Sequence, residues 1–140
     1  MSVFTDAEIA YLNSQRMGRL ATVGVDGQPH IIPVTFTYNP ELDTIDIGGI
    51  RFGSGKKWRD AQENPKVCFL VDESWGSGAK AIEIRGEAEL HTSGGESINP
   101  RFPQFAPEFF RIRPHRVVAW GIEEGGATAS GFRPNARTVA

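Results

Sequence analysis

Asp26-Gly27 sits between two runs that alternate in polarity, and it constrains this chain more than any other short feature. Leu20, Thr22 and Gly24 alternate with Ala21, Val23 and Val25 on one side, and a second arm runs from about His30 to Tyr38. Gly adopts the positive φ that such a turn needs, so Asp-Gly between alternating arms predicts an antiparallel hairpin. Pro33 interrupts the second arm. Proline cannot donate to a ladder, so its presence predicts an edge, a bulge or a stretch open to another group. NPELD at 39–43 predicts a further turn and TIDIGG at 44–49 a third strand.

The rest of the chain continues the pattern. KVCFLVD at 66–72 is a continuous apolar run and predicts a buried strand, and AIEIRGEAEL at 81–90 alternates, with Gly86 predicting a bulge. HRVVAWGIE at 115–123 predicts a last strand, with Trp120 in the core, and PEFFRIRP at 107–114 a short helix or turn. Thr5 followed by Glu8 has capping-box spacing and predicts a helix from about Asp6 to Gln15. KKWRDAQEN predicts a second helix, with Ser54 as its N-cap and Trp58 packed on the sheet. Asn64-Pro65 ends it. Six strands with short turns and few helices predict a mainly β fold, a small six-stranded antiparallel barrel. HTSGGESINPRFPQF at 91–105 reads only as turn-rich. Residues 123–140 are small and polar and predict a tail that is mobile or ordered only against a partner.

Composition bounds the function. A chain of 140 residues fits one domain, and a net charge of −2 argues against nucleic acid as the partner. The N-terminus lacks an apolar run long enough for a signal peptide and no segment is long enough to span a bilayer, so the expected location is cytoplasmic, with no membrane partner. Cys68 is the single cysteine, lies in KVCFLV and reads as a buried inert thiol. His30, His91 and His115 are far apart and lack metal-ligand spacing, so no metal is expected. Glu87 and Glu89 read as a solvated strand face beside Arg85. No pattern brings acid, base and nucleophile together. The expectation is that no side chain is catalytic in its own right and that a cofactor carries the hard chemistry.

RFGSGKKWRD at 51–60 is the stretch that points to a ligand. Arg51, Lys56, Lys57 and Arg59 crowd the start of a helix, where positive charge opposes the helix dipole. A bound anion would reverse that conflict. GSGKK is not a P-loop: Ile50 stands where the first Gly belongs and Lys57 where Ser or Thr belongs. The remaining readings are a phosphate grip and a solvated basic helix face. The two glycines ending TIDIGG favour the first, because they let a flat ligand approach the backbone.

The order of GRLATVGVDGQPHIIPVTFTY, DTIDIGG, SGKKWRDAQENPKVCFLVD and IEIRGEAEL resembles the pyridoxamine 5′-phosphate oxidase-like family, whose fold is a flavin-binding split β-barrel. The resemblance covers residues 5–122 and is closest to the branch that uses the deazaflavin coenzyme F420. It implies a flavin- or deazaflavin-binding domain over 1–122, followed by the tail, and a homodimer with two cofactor sites at the subunit interface. Carried over by position, the ring would lie near Pro33, Val34, Thr35 and Phe36, with Ile47, Gly48 and Gly49 on the neighbouring strand. Arg51, Ser54, Lys56 and Lys57 would hold the phosphate, and Trp75 would reach the site from the other subunit. The implied activity is hydride transfer from reduced coenzyme F420 to a small organic acceptor. FMN as the cofactor, or flavin binding without turnover, are the alternatives. The end of the chain, GIEEGGATASGFRPNARTVA, lacks the RLxP-type segment of true pyridoxamine phosphate oxidases, and the basic RIRPHR precedes the last strand. That difference argues against pyridoxamine 5′-phosphate as substrate.

Overall fold

A computed structural model describes residues 1–75, 78–123 and 133–140, with the Trp75 side chain outside the description. Seven strands form one antiparallel sheet: β1 (Met17–Val23), β2 (Pro29–Asn39), β3 (Thr44–Gly48), β4 (Lys66–Trp75), β5 (Gly78–His91), β6 (Phe109–Trp120) and β7 (Asn135–Thr138). The order is β3-β2-β1-β4-β5-β6-β7, and β3 also pairs with β6. That extra pairing closes the first six strands into a barrel, the fold class expected from the sequence. α1 (Asp6–Ser14) and α2 (Lys56–Glu63) pack against it.

The Asp26-Gly27 hairpin forms as expected. Gly27 has φ +81°, its N–H donates to the Gly24 carbonyl at 3.0 Å, and the Gly24 N–H donates to the Gln28 carbonyl. This is a three-residue loop whose left-handed Gly makes the bulge. The barrel interior is filled by alternate side chains. Leu20, Ile45, Ile47, Phe69, Ile82, Ile84, Phe110, Ile112 and Val117 are all buried, each contributing about 1.5–3 kcal/mol of transfer free energy if a Leu, Ile, Val or Phe is buried fully. Trp58 on α2 is also buried and stacks on Phe110 with centroids 5.6 Å apart. Trp120, expected in the core, ends β6 and is only half-buried.

β6 is longer than the sequence predicted. It begins at Phe109, so residues 109–114 are strand rather than helix or turn. Pro114 obscures this. It pairs with Gly86 where the register shifts between Arg85 and Gly86, so the proline sits where the ladder is already interrupted. The expected bulge at Gly86 is therefore present. A Cβ there would lie 2.2 Å from the Arg113 carbonyl oxygen.

The first half of β6 closes on β3 through Ile45↔Ile112 and Ile47↔Phe110. β3 has five residues and cannot cover the second half. β7 takes that edge, pairing from Arg116↔Thr138 to Ala119↔Asn135. Residues 123–140 were expected to form a tail that is mobile or ordered only against a partner; 124–132 lie outside the described residues, and 135–138 are instead a strand of this sheet. The anchor is polar. Arg137 donates to both oxygens of Glu8, a buried α1 carboxylate that also completes the Thr5 capping box.

Candidate functional site

β2 and β3 part company at Thr35↔Gly48, their last pair. β2 goes on to Pro29 paired with β1 alone, so residues 29–34 have no β3 partner. This is the open edge that Pro33 predicts. On the other side of the fork the chain leaves β3 through Gly49 and Ile50 and turns at Arg51, a non-Gly residue with φ +56°. Phe52–Ser54 form a single 3₁₀ turn, and α2 begins at Lys56.

A cavity of about 300 Å³ fills the fork. Its walls are Met17, Pro33, Val34, Thr35, Gly48, Gly49, Ile50, Phe52, Lys57, Asn99, Phe102 and Phe105. The turn-rich 91–105 segment supplies the last three. It folds over β3, and the Ala106 N–H donates to the Gly49 carbonyl at 2.9 Å. A Cβ on Gly48 would come within 2.9 Å of Ile98 Cδ1, so glycine keeps this roof close. The aromatic residues of RFPQF were the signal for this wall, and turn composition masked it.

Among the sequence-derived site residues, Pro33, Val34, Thr35, Gly48, Gly49 and Lys57 meet in this cavity. Phe36 and Ile47 are buried in the barrel, where Phe36 packs edge-on against Phe69 at 5.0 Å, so only their backbones could serve a ligand in the fork. Arg51 is exposed on the turn before α2. Ser54 is not the N-cap: Gly55 occupies that position, and the Ser54 hydroxyl donates back to the Arg51 carbonyl at 3.1 Å. The 3₁₀ turn places Ser54 one residue too early to cap. Lys56 turns away from the fork and donates to Asp60 at 2.9 Å. Asp60 also accepts from Thr22 of β1, so this ion pair fastens α2 to the barrel. The Trp75 side chain lies outside the described residues.

Lys57 differs from Lys56. Its ammonium lies 4.8 Å from the Phe52 ring centroid, and no carboxylate pairs with it among the described residues. Burial pushes its pKa down, as expected of a cation that has lost water without gaining a counter-charge. No Asp or Glu lines the cavity.

A second cavity, of about 460 Å³, adjoins the first and shares Met17, Thr35, Asn99 and Phe102 with it; Phe36, Ile98 and the cations Arg16 and Arg101 are among its other walls. A third, of about 380 Å³, lies on the outer face of β1, β4 and β5 and contains Cys68. That thiol is half-buried rather than buried. Burial and the Glu83 carboxylate push its pKa up, which favours the protonated thiol. Glu89 lies on a solvated strand face, as read, and pairs there with Arg113 and His91. Among the described residues no cluster of His, Cys, Asp and Glu could hold a metal, and no helix is long and apolar enough to cross a membrane.

The chain is 42% identical to a 5a,11a-dehydrotetracycline/5a,11a-dehydrooxytetracycline reductase of Streptomyces rimosus, over 86% of this chain and 84% of that protein. It is 26% identical to an F420H2-dependent biliverdin reductase of Mycobacterium tuberculosis, over 81% and 80% of the two chains. The crystal structure of an FAD-binding protein from Mesorhizobium loti superposes with a TM-score of 0.64 at 23% identity, covering 83% of this chain and 94% of that one. The pyridoxamine 5′-phosphate oxidase family profile matches residues 4–121. The chain belongs to the pyridoxamine 5′-phosphate oxidase family.

Proposed function

We propose that this protein is an oxidoreductase that binds coenzyme F420 in the β2–β3 fork and reduces a small conjugated organic acceptor. The observation that carries the reading is Lys57: a half-buried cation without a carboxylate partner among the described residues, facing a cavity that no acidic residue lines. A phosphate there would supply the missing counter-charge. When bound, the cofactor would supply a hydride to an electron-poor acceptor.

The chain's own residues bind, orient and exclude water. Pro33 and Val34 line the cavity without a β3 partner, so the backbone groups there that β1 does not take are available to the edge of a ring. Gly48 and Gly49 leave room for a flat body beside the strand. Arg51, with no ion pair among the described residues, adds charge at the turn before α2. Phe52 and Phe105, both buried, wall the fork and keep water from the reacting face. Met17, Ile50 and Phe102 are 53%, 61% and 49% exposed at its rim, an apolar margin that a second copy of the chain would cover. That favours the homodimer.

The F420-dependent relative favours the deazaflavin over FMN, and the reductase at 42% identity favours a conjugated carbonyl acceptor. FMN-dependent turnover and flavin binding without turnover are the competing outcomes. Parallel fluorescence titrations with coenzyme F420 and FMN separate them. Tight binding of F420 alone, together with oxidation of its reduced form, F420H2, by a quinone or enone, is the expected result. Preference for FMN moves the protein to the flavin branch, F420 binding with no oxidation of F420H2 by any acceptor makes it a carrier, and binding of neither sinks the reading.

A further inference from the structure

Six cations among the described residues are committed to a carboxylate. Arg19, Lys56, Arg85, Arg111, Arg113 and Arg137 each form an ion pair. Arg16 and Arg101 form none among the described residues, and both line the second cavity. They come from distant parts of the sequence: Arg16 precedes β1, and Arg101 belongs to the segment that roofs the fork. No Asp or Glu lines that cavity. Glu73 is reached only indirectly, through Gln15, whose amide donates to it at 3.4 Å.

The walls shared with these cations mix apolar side chains, Phe36 among them, with the neutral polar Gln15, Thr35, Thr37 and Asn99. Met17, Ile98 and Phe102 line the cavity, and Phe102 lies 6.2 Å from Phe105, which belongs to the first cavity. Thr35 is shared by both cavities and offers a hydroxyl between them. A ligand in the second cavity would meet a ring in the first along this shared edge. A partly apolar cavity with no acidic residue and two exposed guanidinium groups without an ion pair among the described residues suits a conjugated body carrying an anionic substituent, because guanidinium forms strong, directional bonds to carboxylates.

We propose that the second cavity is the acceptor's seat and that Arg16 and Arg101 select acceptors that carry a carboxylate. This rests on the first cavity being the cofactor's seat. A carboxylate could also reach these cations from an acidic tail on the cofactor, and the test separates the two sources.

The experiment uses a matched pair of probes, 2-methyl-1,4-naphthoquinone-3-propionate and its uncharged methyl ester. Their equilibrium binding is measured by fluorescence to wild-type protein saturated with oxidised coenzyme F420, and to Arg16→Gln, Arg101→Gln and the double variant. Wild type should bind the acid about tenfold or more tightly than the ester, the range of a charge-assisted contact. In the double variant that advantage should fall to about twofold or less, with ester affinity unchanged. Equal binding of acid and ester to wild type overturns the proposal, and so does a preference that survives in the double variant. Coenzyme F420 with its glutamate tail and the tail-less deazaflavin chromophore are titrated into the same proteins. If the double variant loses affinity for the tailed form alone, the cations serve the cofactor and the acceptor proposal is overturned. If wild type binds no cofactor yet prefers the acid, the cofactor reading falls while the anion seat stands.

Discussion

Arg137 on β7 holds Glu8 on α1 from 129 positions away in the sequence, donating to both carboxylate oxygens and, at 2.9 Å, to the Val3 carbonyl. Glu8 is 1% exposed, so its charge has little access to water. Removing one partner of a buried pair leaves the other charge stranded. Arg137→Ala should therefore destabilise the protein by about 3–5 kcal/mol. Glu8→Gln combined with Arg137→Ala should recover part of that loss, since no charge is left behind. Urea unfolding of both variants measures the difference, and a double variant no more stable than Arg137→Ala would refute the stranded-charge account.

Gly86→Ala tests the bulge. The added methyl would meet the Arg113 carbonyl, a backbone atom that cannot swing aside. Overpacking of this kind costs about 1–3 kcal/mol, and more where nothing relaxes. Thermal unfolding should show the drop. A change within about 0.5 kcal/mol, the usual range for a tolerated surface substitution, would mean that the strands separate freely there.

Lys57→Ala should weaken cofactor binding by about 1–3 kcal/mol, the range of a charge-assisted contact. Stability without cofactor should not fall in parallel, because the native cation is desolvated without a carboxylate partner among the described residues. Titration and unfolding on the same sample separate the effects. Unchanged affinity would remove Lys57 from the site.

Asp60 makes stability depend on acid. Burial alone would raise its carboxyl, but hydrogen bonds from Lys56 and Thr22 and the Lys56 charge outweigh this and hold it below the usual carboxylate range. A group whose folded pKa is depressed stabilises the fold above its unfolded pKa, about 3.9 for Asp. That contribution is lost as pH falls through the folded value. Wild type should thus lose stability below about pH 4, and Asp60→Asn should lose less over the same window. Identical pH slopes in chemical denaturation would show that Asp60 carries none of the acid sensitivity.

The sequence displayed the hairpins because their signals are local. Asp26-Gly27, Gly86 and the Thr5–Glu8 box each act within a few residues and lie where expected. Pro33 announced an open edge, though not what faces it. β7 was illegible because one long-range contact, Arg137 to Glu8, replaces the apolar stripe by which strands are recognised. Half the fork was legible too. β2, β3 and Lys57 carry strand and charge patterns, whereas Asn99, Phe102 and Phe105 arrive on a segment whose composition says only turn. Ser54 misled for a related reason. The left-handed Arg51 bends the chain before the helix, and capping propensity cannot anticipate that.

The seam between β3 and β6 also sets a timetable. Hairpins β1–β2, β2–β3 and β4–β5 join neighbours in sequence and can form early. Asp46 and Arg111, bonded through both carboxylate oxygens, stand 65 positions apart, so their meeting awaits closure of nearly half the chain. The fork is framed by β3 and by the segment that leads into β6. The candidate site is therefore expected to be among the last parts of the molecule to form.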